Sequence, residues 1–378
     1  MGSDQLLLDG STHSQKTALS IYMLRVYKLA KSLVIALVLV FLLWFLLINF
    51  GPKRKKTKEN DDIIQRQLME VPKDTFDGYI NIYVANDIPV DEGVNTFKNC
   101  PVSNCLIHRN AAAYPKANAV ILTSKSKLPG DKTSGQVWIL SLMESPLNTQ
   151  GLAELNGKVN FTASYRYDSD FPTPYDYIRQ SKKPLAQSRL NLTAEKTKKV
   201  LWLVSNCFTP SRRDLIADAL GQYIQVDIKG ECGDGRVGVE EGFRLMREEY
   251  KFYLAFENSQ CKDYVTEKMF NALRNNILPI VYGEDRKFYE QIAPPKSFIH
   301  VDDFDNVKKM AEYLIYLDKT PSAYNEYFEW KSNFYLSDSK FYCRLCSALQ
   351  RPKHKIYKDL ESWWNGQKDC KISSEPRI

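Results

Sequence analysis

Short apolar runs alternate with polar turns and amphipathic stretches over most of the chain after residue 78. The clearest case is residues 251–283, KFYLAFENSQCKDYVTEKMFNALRNNILPIVYG. Residues 252–256 read as a buried strand, and residues 277–282 as the next one. Between them a polar turn, 257–263, leads to a helix expected to start near Asp263 or Tyr264. Val265, Met269, Ala272 and Leu273 fall at helical spacing and face inward. Strand, helix and strand in that order imply a parallel sheet. Further strands are expected at 80–85, 119–123, 137–143, 200–204 and 225–228. A helix with Ser211 as its N-cap should follow the 200–204 strand, with Leu215, Ala219 and Leu220 inward. Another helix is expected at 307–317, after a strand near 298. The class is α/β.

One longer run stands apart. Residues 32–50, SLVIALVLVFLLWFLLINF, span about 28 Å as a helix, roughly one bilayer core. The run is too long for a cleaved signal and no small-residue cleavage site follows it. It reads as an uncleaved anchor, with a tail at 1–31 and a polar stem at 51–74. Basic residues flank it on both sides, so charge alone does not orient it. Two N-glycosylation triplets, at Asn160 and Asn191, place the rest of the chain in a secretory lumen. Eight cysteines, all beyond the anchor, suit the same oxidising compartment. Only Cys343 and Cys346 form a CxxC and the four histidines are scattered, so a metal centre is not expected. The net charge of +7 suits an anionic substrate and is too diffuse for nucleic acid.

Candidate chemistry gathers where strands end. With a helix starting near residue 263, Tyr264, Glu267 and Lys268 share one face of its first turn. A helix N-terminus with a lysine suits phosphate, and Glu267 and Tyr264 suit sugar hydroxyls. The same spacing also suits a solvated Glu–Lys pair. Glu144 follows the 137–143 strand, where burial would raise its pKa toward a general base's range; a turn cap before Pro146 is the plainer reading. Arg213 lies near a helix start, where a guanidinium grips a diphosphate. Asp168-Ser-Asp170 has the form of a metal-binding DxD.

The wording of these segments narrows the choice. Phe256-Glu-Asn-Ser259 followed by Asp263-Tyr-Val-Thr-Glu-Lys268 resembles the signature of the α1,3-fucosyltransferases, glycosyltransferase family 10, and especially its invertebrate members. Glu144-Ser-Pro146, residues 165–170 (YRYDSD), residues 298–304 (FIHVDDF) and Phe328-Glu-Trp330 resemble further blocks of that family.

The resemblance implies two Rossmann-like domains in the GT-B arrangement behind an N-terminal transmembrane helix. Residues 75–185 would bind acceptor, 186–350 would bind GDP-fucose, and 351–378 would form a tail. It implies a type II Golgi membrane enzyme with a luminal catalytic domain. That enzyme would transfer fucose from GDP-fucose, with inversion, to the 3-OH of GlcNAc in N-glycan or lactosamine-type glycoprotein acceptors. Glu144 would be the catalytic base. Arg213, Asn258, Tyr264, Glu267 and Lys268 would hold the donor, with Arg166 and Asp168 in the acceptor region. Tyr167 stands where many members have a second Arg. No metal is required in this family's scheme, manganese being at most a stimulant. The family's disulfides imply that Cys100 and Cys105 pair with Cys343 and Cys346; the pairing of Cys207, Cys232, Cys261 and Cys370 is left open. An enzyme for another nucleotide sugar and a catalytically silent lectin are the rival classes.

Overall fold

A computed structural model describes residues 62–185, 196–366 and 369–371, all within one compact unit, residues 60–378. The apolar run 32–50, residues 51–61 of the expected stem, Asn191 and the last seven residues lie outside them. Residues 62–74 of that stem are described and are no loose linker, because they carry a helix whose Ile64 is fully buried. No helix among the described residues is long and apolar enough to cross a membrane.

The first half opens with helix α1 (Ile63–Met69), which Asp62 caps by accepting from the amide of Ile64. Strands β1 (Ile80–Val84), β2 (Cys105–His108), β3 (Ala119–Leu122), β4 (Val137–Leu142), β5 (Phe161–Ser164) and β6 (Phe171–Pro172) follow. They form one parallel sheet in the order β2-β1-β3-β4-β5-β6. Ala119–Leu122 is buried at every position, as a parallel strand covered on both faces should be. The crossovers are unusual. Between β1 and β6 the described chain turns through short 3-10 segments and loops, with no α-helix. This sheet cannot bury both faces with its own connections.

Strand β7 (Tyr177–Gln180) leads out of the first half. The second half then runs β8 (Lys198–Leu203), α2 (Arg213–Gly221), β9 (Val226–Lys229), α3 (Val239–Glu248), β10 (Tyr250–Phe256), β11 (Gln260–Cys261), α4 (Glu267–Arg274), β12 (Leu278–Tyr282), α5 (Arg286–Ile292), β13 (Ile299–His300), α6 (Val307–Lys319) and α7 (Pro321–Asn325). Its parallel sheet has the order β13-β12-β10-β8-β9. Helices cover both faces: α2 and α6 pack against Val200, Phe252 and Ile280, and α4 packs its Met269, Ala272 and Leu273 against Tyr253 and Val281. The chain order reverses between β8 and β10. In an open parallel sheet that is the switch point, where the loops at the carboxyl ends part and a ligand enters.

The chain returns through β14 (Phe334–Ser337), antiparallel to β7, and then α8 (Phe341–Leu349), α9 (Leu360–Trp364) and β15 (Cys370–Lys371). Residues 341–364, which the sequence divides between a second domain and a tail, pack against the first sheet. Leu345, Cys346 and Leu349 of α8 join the core of Ile80, Ile107 and Ile139. Leu360 and Trp364 of α9 join Trp138, Leu140 and Leu142 on the opposite face. The missing covering helices of the first sheet thus come partly from the C-terminal end of the chain. Disulfides fasten them: Cys100 to Cys343 and Cys105 to Cys346. The remaining pairs are Cys207–Cys232 and Cys261–Cys370.

Candidate active site

The carboxyl ends of β4 and β10 meet. Pro146 turns the chain after β4 into a 3-10 segment and leaves Glu144 exposed at the rim. Across from it the loop after β10 carries Asn258 and Ser259. The Ser145 and Ser259 hydroxyls lie 2.8 Å apart, and Asn148 Nδ2 donates to Ser145 Oγ at 3.1 Å. Glu144 Oε1 accepts three hydrogen bonds: from the Ser145 amide at 2.7 Å, the Tyr264 phenol at 2.7 Å and Asn258 Nδ2 at 3.2 Å. Asn148 is a further side-chain donor to this carboxylate.

The electrostatics correct one expectation. Burial does push the Glu144 carboxyl up, but the donors of Ser145, Tyr264 and Asn258 outweigh it and hold the group below its ordinary value. Glu144 is therefore a well-ionised carboxylate whose Oε1 is committed to three donors. Tyr264 is its counterpart. Burial first, then the charges of Glu257 and Glu144, push its phenol far above the ordinary value, so it remains a donor.

A second carboxylate, which the sequence marks only as the start of a turn, lies close by. Glu257 follows seven consecutive buried residues and is itself 0% exposed. Its Oε1 accepts from the Thr266 amide and its Oε2 from the Thr266 hydroxyl, both at 2.8 Å. It caps the start of α4 from outside the helix. Lys268 Nζ lies 3.1 Å from Glu257 Oε2 and 3.1 Å from Glu267 Oε1. Burial works against the Lys268 charge, but Glu257 and Glu267 outweigh it and keep the ammonium protonated. Gly283 at the end of β12 is the signal that sequence offered: a Cβ there would lie 2.9 Å from Glu257 Cγ, so only glycine lets this side chain pass.

The helix also starts later than expected. Asp263 has φ +59° and Thr266 is the N-cap, so Glu267 is the first helical residue. Tyr264 does not share a helical face with Glu267 and Lys268. It lies 2% exposed under the loop, its ring 4.9 Å from that of Tyr165, and reaches Glu144 instead. Glu267 and Lys268 remain at the helix N-terminus.

Arg213 begins α2, but its guanidinium is 3% exposed and bonds chain carbonyls: Phe256 at 2.6 Å and Asn206 at 2.9 Å. It locks the loop after β8 to the end of β10 across the switch point. Ser211 does not cap α2, which begins after Arg212 in a left-handed conformation. Its amide and hydroxyl bind the carbonyls of Asn258 and Glu257. Ile216 and Ala217, rather than Leu215, face the core. Arg213 Nε, Asp214 Oδ1 and Asn258 Oδ1 are buried without a partner among the described residues.

Arg166 and Asp168 are brought near this site but not into it. Arg166, 3% exposed, makes a two-point bond to Asp168 and another to Asp369 at 2.8 Å. Asp168 also takes Lys262 at 2.8 Å. The guanidinium is bonded inside the fold at Nε, Nη1 and Nη2. Asp170 accepts from the Thr162 amide, the Tyr357 phenol and Lys355. Asn160 is half-buried with its amide engaged: its Oδ1 accepts from the Trp138 amide and its Nδ2 donates to the Lys355 carbonyl at 2.8 Å.

Two family models match the chain: "Fucosyltransferase, N-terminal" over residues 79–176 and "Glycosyltransferase family 10 (fucosyltransferase) C-term" over residues 193–363. The chain belongs to glycosyltransferase family 10. Among its relatives is the glycoprotein 3-alpha-L-fucosyltransferase A of Drosophila melanogaster, 39% identical over 288 residues. That match covers 73% of this chain and 57% of the relative. The 3-galactosyl-N-acetylglucosaminide 4-alpha-L-fucosyltransferase of Bos taurus is 37% identical, covering 69% and 74%. The alpha-(1,3)-fucosyltransferase C of Drosophila melanogaster is 33% identical, covering 74% and 73%. A crystal structure of an alpha1,3-fucosyltransferase with GDP shares the fold at a TM-score of 0.50 and 18% identity, covering 79% of this chain and 99% of that one. In this fucosyltransferase-family chain, then, the first family model ends just before β7 and the second spans the sheet with the switch point.

Proposed function

We propose that this family 10 chain is an inverting α1,3-fucosyltransferase of the GT-B arrangement, using GDP-fucose. The observation that carries the reading is the meeting of Glu144 with Asn258 and Tyr264, which joins the end of the first sheet to the nucleotide crevice of the second. A base on one half and a donor site on the other suit transfer between two substrates bound from opposite sides.

The acceptor's GlcNAc 3-hydroxyl gives its proton to Glu144 Oε2 as its oxygen attacks the anomeric carbon of fucose. The bond from that carbon to the β-phosphate oxygen breaks, and GDP leaves with the electron pair. The new glycosidic bond has the opposite configuration. A carboxylate held below its ordinary pKa is a weak base in the ground state; its strength here is position and full ionisation. Charge growing on the β-phosphate is met by Lys268 and the N-terminus of α4, backed by Arg213. Glu267 positions ribose or fucose, Tyr264 orients Glu144, and Asn258 orders the donor loop. The scheme needs no divalent cation, which is supported by Asp168 and Asp170 being tied into Arg166, Lys262 and Lys355.

The anchor at 32–50, eight cysteines in four disulfides and a luminal-type sequon at Asn191 support a single-pass type II protein of the Golgi membrane. The named relatives act on a glycoprotein and on a galactosyl-N-acetylglucosaminide, and identity to them is similar, so core and antennary GlcNAc are both acceptors to test. The test is fucose transfer by the detergent-solubilised full chain to both acceptor classes, with competition by other nucleotide sugars. Transfer from GDP-fucose to neither class, or preferential use of another donor, overturns the reading.

A further inference from the structure

The C-terminal segment does more than cover a sheet. From residue 357 to 366 and again at 369–371 it is laid as a strap behind the site. The Tyr357 amide bonds the Val159 carbonyl, and the Leu360 amide bonds Asn156 Oδ1 at 2.9 Å. Trp364 is 0% exposed. Its ring lies 5.5 Å from Tyr165, and Tyr165 lies 4.9 Å from Tyr264, whose phenol holds Glu144. Three buried rings thus run in series from the strap to the carboxylate. Arg166 clips the strap in place: it donates to the Trp364 carbonyl at 3.2 Å and to Asp369, and its guanidinium lies over the Trp363 and Trp364 rings. The far end is closed covalently. Cys370 is bonded to Cys261, β15 pairs with β11, and the Lys262 amide donates to the Asp369 carbonyl at 2.6 Å. Lys262 and Asp263 are the two residues before Tyr264, so both ends of the ring series are fixed by one short segment.

The buried edges of this series are not hydrogen-bonded. Tyr165 Oη and Trp364 Nε1 have no partner among the described residues. Leaving two polar groups unpaired in a core is unfavourable by about 1–3 kcal/mol each. A Phe at 165 would pack alike without that penalty, so the ring series is held by shape and position rather than by polar bonds.

We propose that the C-terminal strap, through Trp364 and the rings of Tyr165 and Tyr264, is a positioning element that sets the orientation of the Glu144 carboxylate. It rests on the reading of Glu144 as the base. Trp364 touches no reacting atom; it fixes where the Tyr264 phenol stands, and that phenol fixes Oε1 and turns Oε2 toward the acceptor. The Cys261–Cys370 bond makes this arrangement dependent on the oxidising compartment. The charges facing the Tyr165–Tyr264 pair are Glu144 from the loop after β4, Arg166 after β5, Glu257 after β10 and Asp263 before α4.

The experiment compares Trp364→Ala, Trp364→Phe, the double variant Cys261→Ser with Cys370→Ser, and Glu144→Gln, as full chains in detergent. For each, kcat, the KM for GDP-fucose and the acid limb of kcat/KM against pH are measured. Trp364→Ala should lower kcat about tenfold with KM for GDP-fucose changed less than about twofold, since small misplacements of a catalytic group act on the chemical step. Its acid limb should move to higher pH, because Glu144 loses a donor. Trp364→Phe should restore most of kcat, and the cysteine double variant should fall between. A folded Trp364→Ala with wild-type kcat and an unmoved acid limb overturns the proposal. So does a loss shared equally by kcat and GDP-fucose binding and not rescued by Phe, which is the signature of a merely structural role. If Trp364→Ala does not fold, Arg166→Lys, which keeps the charge and removes the two-point clip, carries the same readouts. Wild-type activity in Glu144→Gln instead overturns the base assignment, a result distinct from any strap outcome.

Discussion

Tyr264 donates its phenol to Glu144 Oε1 at 2.7 Å across 120 residues of chain. The two residues lie in loops that follow different sheets, and each adds to the other's state: Glu144 after burial and Glu257 for the phenol, Tyr264 after the Ser145 amide for the carboxylate. The anion helps keep the phenol protonated; the phenol helps keep the carboxyl deprotonated. Removing the donor by Tyr264→Phe should raise the pKa of Glu144 and lower kcat by about 10- to 100-fold. The sign follows from the depressed folded value. Glu144's contribution to stability is present above its unfolded value of about 4.5 and is lost as pH falls through the lower folded value. Wild-type activity should therefore hold through the ordinary carboxylate range, and in Tyr264→Phe the acid limb should lie higher. A pH profile of both proteins reads this; an identical acid limb contradicts it.

Glu257 is fully buried against Lys268 and Thr266. Glu257→Gln would leave Lys268 without its buried partner and should lower stability by about 3 kcal/mol or more, together with donor affinity. Gly283→Ala presses on the same side chain and should be destabilising by about 1–3 kcal/mol. Denaturant unfolding and GDP binding by calorimetry check both. Neutral behaviour in either would remove Glu257 from the account of α4.

The strand pattern was readable because apolar runs such as 252–256 and 119–123 are covered on both faces, which leaves little choice of structure. What was not readable depended on distant partners. The expected start of α4 at Asp263 or Tyr264 fails because β11 pairs with β15, more than a hundred residues on, and turns the chain at Asp263. That Arg166 is engaged inside the fold was not readable, because Asp369 and the two tryptophans that hold it lie at the other end of the sequence. Ser211 looked like a cap because its true partners, the carbonyls of Glu257 and Asn258, belong to another strand's loop. Glu144 was legible as a position, but its pKa direction depended on donors that only the fold assembles.

Asn160 is a sequon by spelling, yet its amide links β4, the loop before β4 and the C-terminal segment. Asn160→Ala should lower stability by about 1 kcal/mol, since the buried Trp138 residue loses the acceptor of its amide. It should not change the mass released by enzymatic deglycosylation, whereas Asn191→Gln should. A mass change tracking Asn160 contradicts the internal role.

The two disulfides of α8 join residues 243 and 241 positions apart. Replacing Cys343 and Cys346 together by Ser should lower stability by several kcal/mol, about 2–5 for each bond. Melting with and without reductant measures it. The loss should appear in the first half of the molecule, where α8 covers Ile80 and Ile107. An unchanged melting temperature would show that α8 needs no fastening.

The most direct measurement is transfer of labelled fucose from GDP-fucose by the wild-type chain and by Glu144→Gln, in EDTA, with core and antennary GlcNAc acceptors side by side. The account predicts transfer by the wild type that survives EDTA, and at least a hundredfold loss in Glu144→Gln with GDP-fucose still bound. Full activity in Glu144→Gln, or wild-type transfer abolished by EDTA and restored by a divalent cation, would contradict it.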